Sequence, residues 1–313
     1  MSPSRRPSSR LITTLAPAIA AIVLVAGCGD SADDGAASSS ADAGCATENT
    51  SGREGVNLIP IPPAKVTVTG HGTEPRRAPA AAPDLAAAQR ATVVTTSTVA
   101  SRGTTEAQTV DLSMTARFAC TDPTDLEMDL GTTTSPDPAL DGQLAAIDGS
   151  RAGMAIAPGL APISLRLMPD DDAGSEARLA VEQALIGALT RSVPMPTEPV
   201  GVGATWRVQR VVSAAATVTQ TIEARITAWT GNRVTITYTA DETPVNSVFA
   251  IPGGNQTLTI ARYSFTGSGT VIMDLTRGLP VGGEATYRGA RELVGADASR
   301  PLLQQTGFTL SWR

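Results

Sequence analysis

Few residues in this chain have chemistry to offer. They are three cysteines (Cys28, Cys45, Cys120), one histidine (His71), one lysine (Lys65) and a scatter of carboxylates. His71 sits in Thr-Gly-His-Gly-Thr, and the flanking glycines mark it as a loop residue rather than a base. A single histidine excludes an H-E-x-x-H zinc site. No G-x-S-x-G elbow occurs, Lys65 has no Ser-x-x-Lys partner, and no glycine-rich phosphate loop opens a helix. Asp111, Glu127, Asp129, Asp274 and Glu284 fall on or near strand-like stretches. A facing pair of them could do acid–base work, but carboxylates on a polar strand face are ordinarily solvated. The run Asp170–Asp172 lacks the alternate spacing of a calcium loop and reads as the start of a helix. No catalytic residue, metal or cofactor is expected.

Cys28 ends the one long apolar run. Arg5, Arg6 and Arg10 form a cationic start. Leu11–Ala26 is apolar apart from Thr13, Thr14 and Pro17, and Val25-Ala26-Gly27 leads into Cys28. This order describes a secretory signal and is too short for a span of about 20 apolar residues. The cysteine directly after Val-Ala-Gly resembles the lipobox of bacterial lipoproteins. That resemblance implies cleavage after a signal peptide of residues 1–27 and a diacylglycerol on Cys28. The protein would then be held on the outer face of a membrane. The alternative is an ordinary signal peptide with a chance cysteine. With Cys28 acylated, Cys45 and Cys120 remain in an oxidising compartment, where disulfides persist. Pairing is expected, and the loop of about 75 residues would contribute roughly 4 kcal/mol. The other arrangement is a buried Cys120 thiol with Cys45 exposed on a tail. Loss of the three arginines leaves 21 basic against 30 acidic residues, a charge near −9. That balance argues against a nucleic-acid partner.

These residues need elements to position them. Residues 28–57 are Ser, Ala, Asp and Gly with little to bury, and are expected to be a disordered acidic linker. Residues 58–313 are expected to form a β-rich globular domain, either whole or as two parts meeting near 195. The fold class is mainly β (α+β): an antiparallel meander, read as a curved half-barrel packed by one or two helices. Val110, Leu112, Met114, Ala116, Phe118 and Cys120 share one strand face. Leu126, Met128 and Leu130 repeat the pattern, as do Ile163, Leu165 and Leu167. Strands at 217–229 and 233–240 form a hairpin. A three-residue turn, Thr230-Gly231-Asn232, sets Ile236 against Ile226 and Val234 against Ala228. A two-residue turn would set Ile236 against Thr227, apolar against polar. The odd turn is therefore expected, with Trp229 beside Arg233 on the outer face. Further strands are expected near 257–265, 270–276, 285–291 and 306–312.

One segment reads clearly as helix, Ser175–Ser192, with Val181, Leu185 and Leu189 repeating at i+4 beside Ala184 and Ala188. A second, short helix is expected at 84–90. Residues 199–210, "PVGVGATWRVQR", echo residues 280–291, "PVGGEATYRGAR". Trp206 aligns with Tyr287, and both read as core plugs.

Glu198–Trp206, "EPVGVGATW", followed by an alternating strand pair, resembles a family of uncharacterised bacterial secreted lipoproteins that share an E-P-V-G-x-G-x-x-W element. More loosely, the layout is similar to the lipid-carrying lipoproteins of the mycobacterial envelope. That likeness implies a curved half-barrel closed by helices over an apolar cavity, with Val181, Ala184, Leu185, Ala188 and Leu189 covering it. Three readings follow. The chain is a non-enzymatic, membrane-anchored envelope protein with a structural or partner-binding role, or a carrier of a lipid or other amphiphile. The most remote reading is a carboxylate-based hydrolase.

Overall fold

The computed structural model describes residues 44–251 and 256–313; Cys28, residues 1–27 and most of the expected linker lie outside the described residues. Two short strands come first, β1 (Asn57–Pro60) and β2 (Lys65–Gly70). A meander follows: β3 (Gln89–Ser101), β4 (Thr104–Phe118), β5 (Asp125–Thr134), β6 (Arg151–Ala157) and β7 (Ala161–Met168). A short helix, α1 (Pro138–Leu144), interrupts it. The long helix α2 (Ser175–Leu189) then leads to a second meander. This comprises β8 (Thr205–Ser213), β9 (Ala216–Thr230), β10 (Arg233–Ala250), β11 (Thr257–Asp274), β12 (Gly282–Val294) and β13 (Leu302–Trp312). The protein is mainly β, as its alternating sequence predicts. Neighbouring strands pair antiparallel in one open 13-stranded sheet, ordered β1-β7-β6-β5-β4-β3-β13-β12-β11-β10-β9-β8-β2. Residue 195 falls between the meanders, which share the sheet through β3 and β13 (Thr96↔Thr309).

Two lengths show that the sheet is rolled. Its outermost strands, β1 and β2, are joined by only Ile61–Ala64, so Pro60 and Lys65 lie no more than about 18 Å apart. From β7 to β8 is ten strand positions, about 48 Å if flat. Yet α2, about 22 Å long, packs on β7 at one side, while Arg210 of β8 bonds the end of the helix from the other. The sheet therefore wraps around α2. Prolines 60, 62 and 63 lie at and beside the open edge, where they discourage further pairing.

Local chemistry changed several expectations. Residues 84–90 are a turn entering β3, not a helix. Gln89 bonds the backbone of Leu279 through both ends of its amide, and sheet pairing overrides the helical preference of three alanines. The hairpin turn has two residues, Gly231 and Asn232, with Thr230 opposite Arg233. Gly231 takes φ +58°, as the first position of a tight hairpin turn requires. A bulge at Thr227 then restores Ile236↔Ile226. It also turns Ala228 to solvent, and Trp229, opposite Val234, packs against the core. The guanidinium over Trp229 is that of Arg77, 4.3 Å from the ring centre, rather than Arg233. A second bulge, between Ala155 and Ile156 in the β6–β7 pairing, leaves Ile163 exposed while Leu165 and Leu167 are buried.

The linker expectation also changes over its described part. Gly44 donates to Ala86, Ala46 donates to the Phe118 carbonyl at the end of β4 and accepts from the Cys120 N–H, and Thr50 is fully buried. Residues 44–50 therefore lie against the domain, and 51–55 are exposed. Cys45 and Cys120 are joined, Cα atoms 5.0 Å apart.

Candidate functional site

The hollow of the sheet is where a ligand would enter, and α2 occupies it. Its N-terminal end is thinly covered: Gly174 caps it without a side-chain bond, and Leu179 is exposed. Its C-terminal half is enclosed. Val181, Ala184, Leu185, Ala188 and Leu189 are all buried, as their spacing predicts. Gly187 lets the Phe308 ring of β13 approach so closely that a Cβ would sit 3.0 Å from it. The small residues of α2 thus receive a ring rather than leave a void. Only Ala188 and Leu189 of the five border open space.

That space is about 50 Å³, enough for a few waters and too small for an acyl chain. Its walls are mainly apolar, including Met154, Met273, Leu310 and Trp312, with Arg191 and Tyr238 among the polar groups. Arg191 carries the local charge. Its guanidinium lies 4.1 Å from the centre of Phe308, 5.1 Å from Tyr287 and 5.7 Å from Phe265. It donates to the Gly187 carbonyl at 3.1 Å. Arg210 is buried and donates to the carbonyls of Thr190 (2.9 Å) and Ser192 (2.7 Å). Two cations thus satisfy the C-terminal carbonyls of α2 and face the negative end of its dipole. Burial pulls the Arg210 guanidinium down to about 10, still charged at neutral pH. The Tyr287 hydroxyl meets that of Tyr238 at 3.4 Å, and burial pushes both phenols well above the usual tyrosine range. No local pattern marks this cluster, because its members are scattered over 117 residues of chain; only Arg210 and Tyr287 of them fall within the 199–210 and 280–291 echo. Trp206 is buried and bonds the Pro194 carbonyl at 2.9 Å.

A second polar cluster lies on the other face of the sheet. Arg166 falls between buried Leu165 and Leu167, so it points away from α2. It reaches across Gly153 of β6 to β5, donating from Nη2 to Asp125 and to Glu127 at 2.5 and 2.8 Å. Its Nε donates to Thr50 at 3.0 Å. Thr50 in turn donates its backbone N–H and its hydroxyl to Glu127, each at 3.0 Å. Glu127 is therefore not a solvated strand carboxylate. It is sealed under residues 48–51 in a buried ion pair, and the facing pair Asp125 and Glu127 shares one guanidinium.

The other carboxylates match their solvated reading, except Asp274, whose side chain is 18% exposed. Asp129 is exposed and pairs with Arg117 at 2.7 Å. Glu284 is exposed and Asp111 partly so. The Asp274 carboxyl accepts from Thr276 and lies 3.8 Å from Arg233. Asp170–Asp172 precede α2, with Arg178 bonding the carbonyls of Asp170 and Asp171. His71 is a loop residue 3.2 Å from Glu198. No group of three or more potential ligands is placed to hold a metal among the described residues.

The E-P-V-G-x-G-x-x-W element is a folding device here. Val200 pairs with Arg77, Gly203 takes φ +85°, and a Cβ on Gly201 would collide with the Thr73 carbonyl. No family model matches the chain, and no curated protein matches it.

Proposed function

We propose that the chain is a lipid-anchored, non-enzymatic extracytoplasmic protein, tethered to the cell membrane through Cys28, with a structural or partner-binding role in the cell envelope. The observation that carries this reading is that the hollow of the sheet is filled by the protein's own helix. A carrier needs a cavity between sheet and helix. Here Phe308 and the Arg191 cluster occupy that position, and about 50 Å³ remains. The hydrolase reading needs two facing acids in a cleft. The two buried acids, Asp125 and Glu127, are neighbours on one strand, bond the same Arg166 guanidinium, and Glu127 is covered by Thr50.

Two mass measurements test the proposal. The N-terminal peptide of protein extracted from membranes should begin at Cys28 and carry a diacylglycerol. An unmodified Cys28 would remove the anchor. A Cys28→Ser chain beginning at residue 28, purified without detergent, should give a clean native mass. A bound amphiphile released by organic solvent would instead establish the carrier reading.

A further inference from the structure

An apolar groove of about 370 Å³ opens on the surface beside the point where the N-terminal segment joins the domain. One wall is the Pro79–Pro83 stretch. The other is built from Phe118, Pro123 and the β6–β7 turn around Ile156–Leu160. Thr124 and Thr197 are its only side chains with polar groups. Leu160 closes its inner end, since it also borders the cavity under α2. The N-terminal segment joins the domain beside the groove, and Phe118 belongs to both. Gly44 donates to Ala86, just beyond the first wall, and Ala46 donates to Phe118 in the second. The Cys45–Cys120 disulfide sits between Phe118 and Pro123 in sequence and fixes this exit point.

We propose that this groove docks a fatty-acyl chain of a phospholipid in the membrane to which the protein is tethered, so that the domain sits on the bilayer by this end. The inference rests on the anchor at Cys28. Fifteen residues lie between Cys28 and Gly44, and the sixteen steps keep the groove within a contour of about 55 Å of the anchor point. A short tether holds a surface at millimolar effective concentration, where even a shallow apolar site is occupied. The groove's occupant is apolar because its walls offer no charge to a headgroup. Asp84, beside the first wall, has Arg277 at 4.0 Å, whereas Asp122, immediately before Pro123, accepts from the backbone N–H and hydroxyl of Thr124, and its charge opposes an anionic lipid and favours a zwitterionic one.

The test supplies the tether by chemistry, so that it does not depend on natural acylation. In the mature chain from Cys28, the only thiol outside the disulfide is Cys28 itself. It is coupled to a maleimide phospholipid in phosphatidylcholine vesicles containing a phosphatidylcholine with a diazirine on its acyl chain. After illumination, the crosslinked peptides are identified by mass spectrometry. Label should fall on 79–83, 118–124 and 156–160. It should drop about tenfold in Ala80→Glu and Ala157→Glu, with circular dichroism and thermal midpoint of each variant checked against the parent. Replacing a third of the lipid by phosphatidylglycerol should lower it. Label spread over the sheet, or unchanged in both folded variants, overturns the docking site whatever the state of Cys28. An unmodified N-terminal peptide from membranes removes the natural tether while leaving the groove's preference measured.

Discussion

Glu127 and Asp129 are two positions apart on one strand face, carry the same charge and read identically in sequence. One is buried and the other is exposed. The difference comes from residues 48–51, which cover Glu127 and not Asp129, and from Arg166, which is 39 residues away and points to the same face. Neither partner has a local signature, so only three-dimensional placement shows the ion pair. Gly153 makes it possible. It lies between Arg166 and Glu127 in register, and a Cβ there would collide with the guanidinium and with the Thr50 hydroxyl. Breaking a buried pair leaves charges without partners and typically costs 3–5 kcal/mol. Gly153→Ala should therefore lower stability by about 3 kcal/mol in urea unfolding. Gly142→Ala, in exposed α1 with nothing near its Cβ position, should raise it by up to about 1 kcal/mol, the ordinary helix preference. Equal effects of the two substitutions would show that Arg166 is not held in this way.

At the level of elements, the strands were legible because one face of each is buried, and burial writes itself as alternation. Val110 through Phe118 is the plainest case. The two bulges were not legible, because an extra residue such as Thr227 breaks the alternation at the place where it is inserted. Helix α2 was legible from its i+4 repeat, and α1 was not, since only Leu140 and Leu144 of it are buried. What fills the space beneath α2 was the harder question. Small residues on a helix are consistent either with a hollow or with a close partner, and the partner, Phe308, comes from the last strand. Gly187→Leu separates the two. Against a packed ring the larger side chain forces strain typical of overfilled cores, a loss of about 1–3 kcal/mol, seen as a lower thermal midpoint. A change below about 0.5 kcal/mol would mean that the sheet has room to spare, and would return the carrier reading.

Over the described residues, the fold depends on β3 and the last strand, β13, meeting in the middle of the sheet. β3 lies between β4 and β13, and its pairing with β13 joins residues about 200 apart, as in Gln304↔Ser101. The chain runs outward from β3 to β7, crosses through α2 to the far edge at β8, and returns inward to β13. Part of the packing around α2 nevertheless belongs to strands made after it: Arg210 on the carbonyls at its end and Phe308 against Gly187, with Trp206 holding the following loop at Pro194. A chain ending at Pro196 would keep the first meander, the disulfide and the Arg166 cluster. It would leave β3 as a bare edge and one face of α2 uncovered. An exposed edge of thirteen residues is a template for pairing with another chain, and non-local closure of this kind is slow and aggregation-exposed. Residues 44–196 alone should show no cooperative thermal transition and should elute as aggregates, whereas residues 44–313 should unfold in one step. A sharp transition in the shorter chain would mean that the two meanders are separate folding units that happen to share a sheet. The rolled sheet would then be an assembly of two parts rather than one structure wound around its helix.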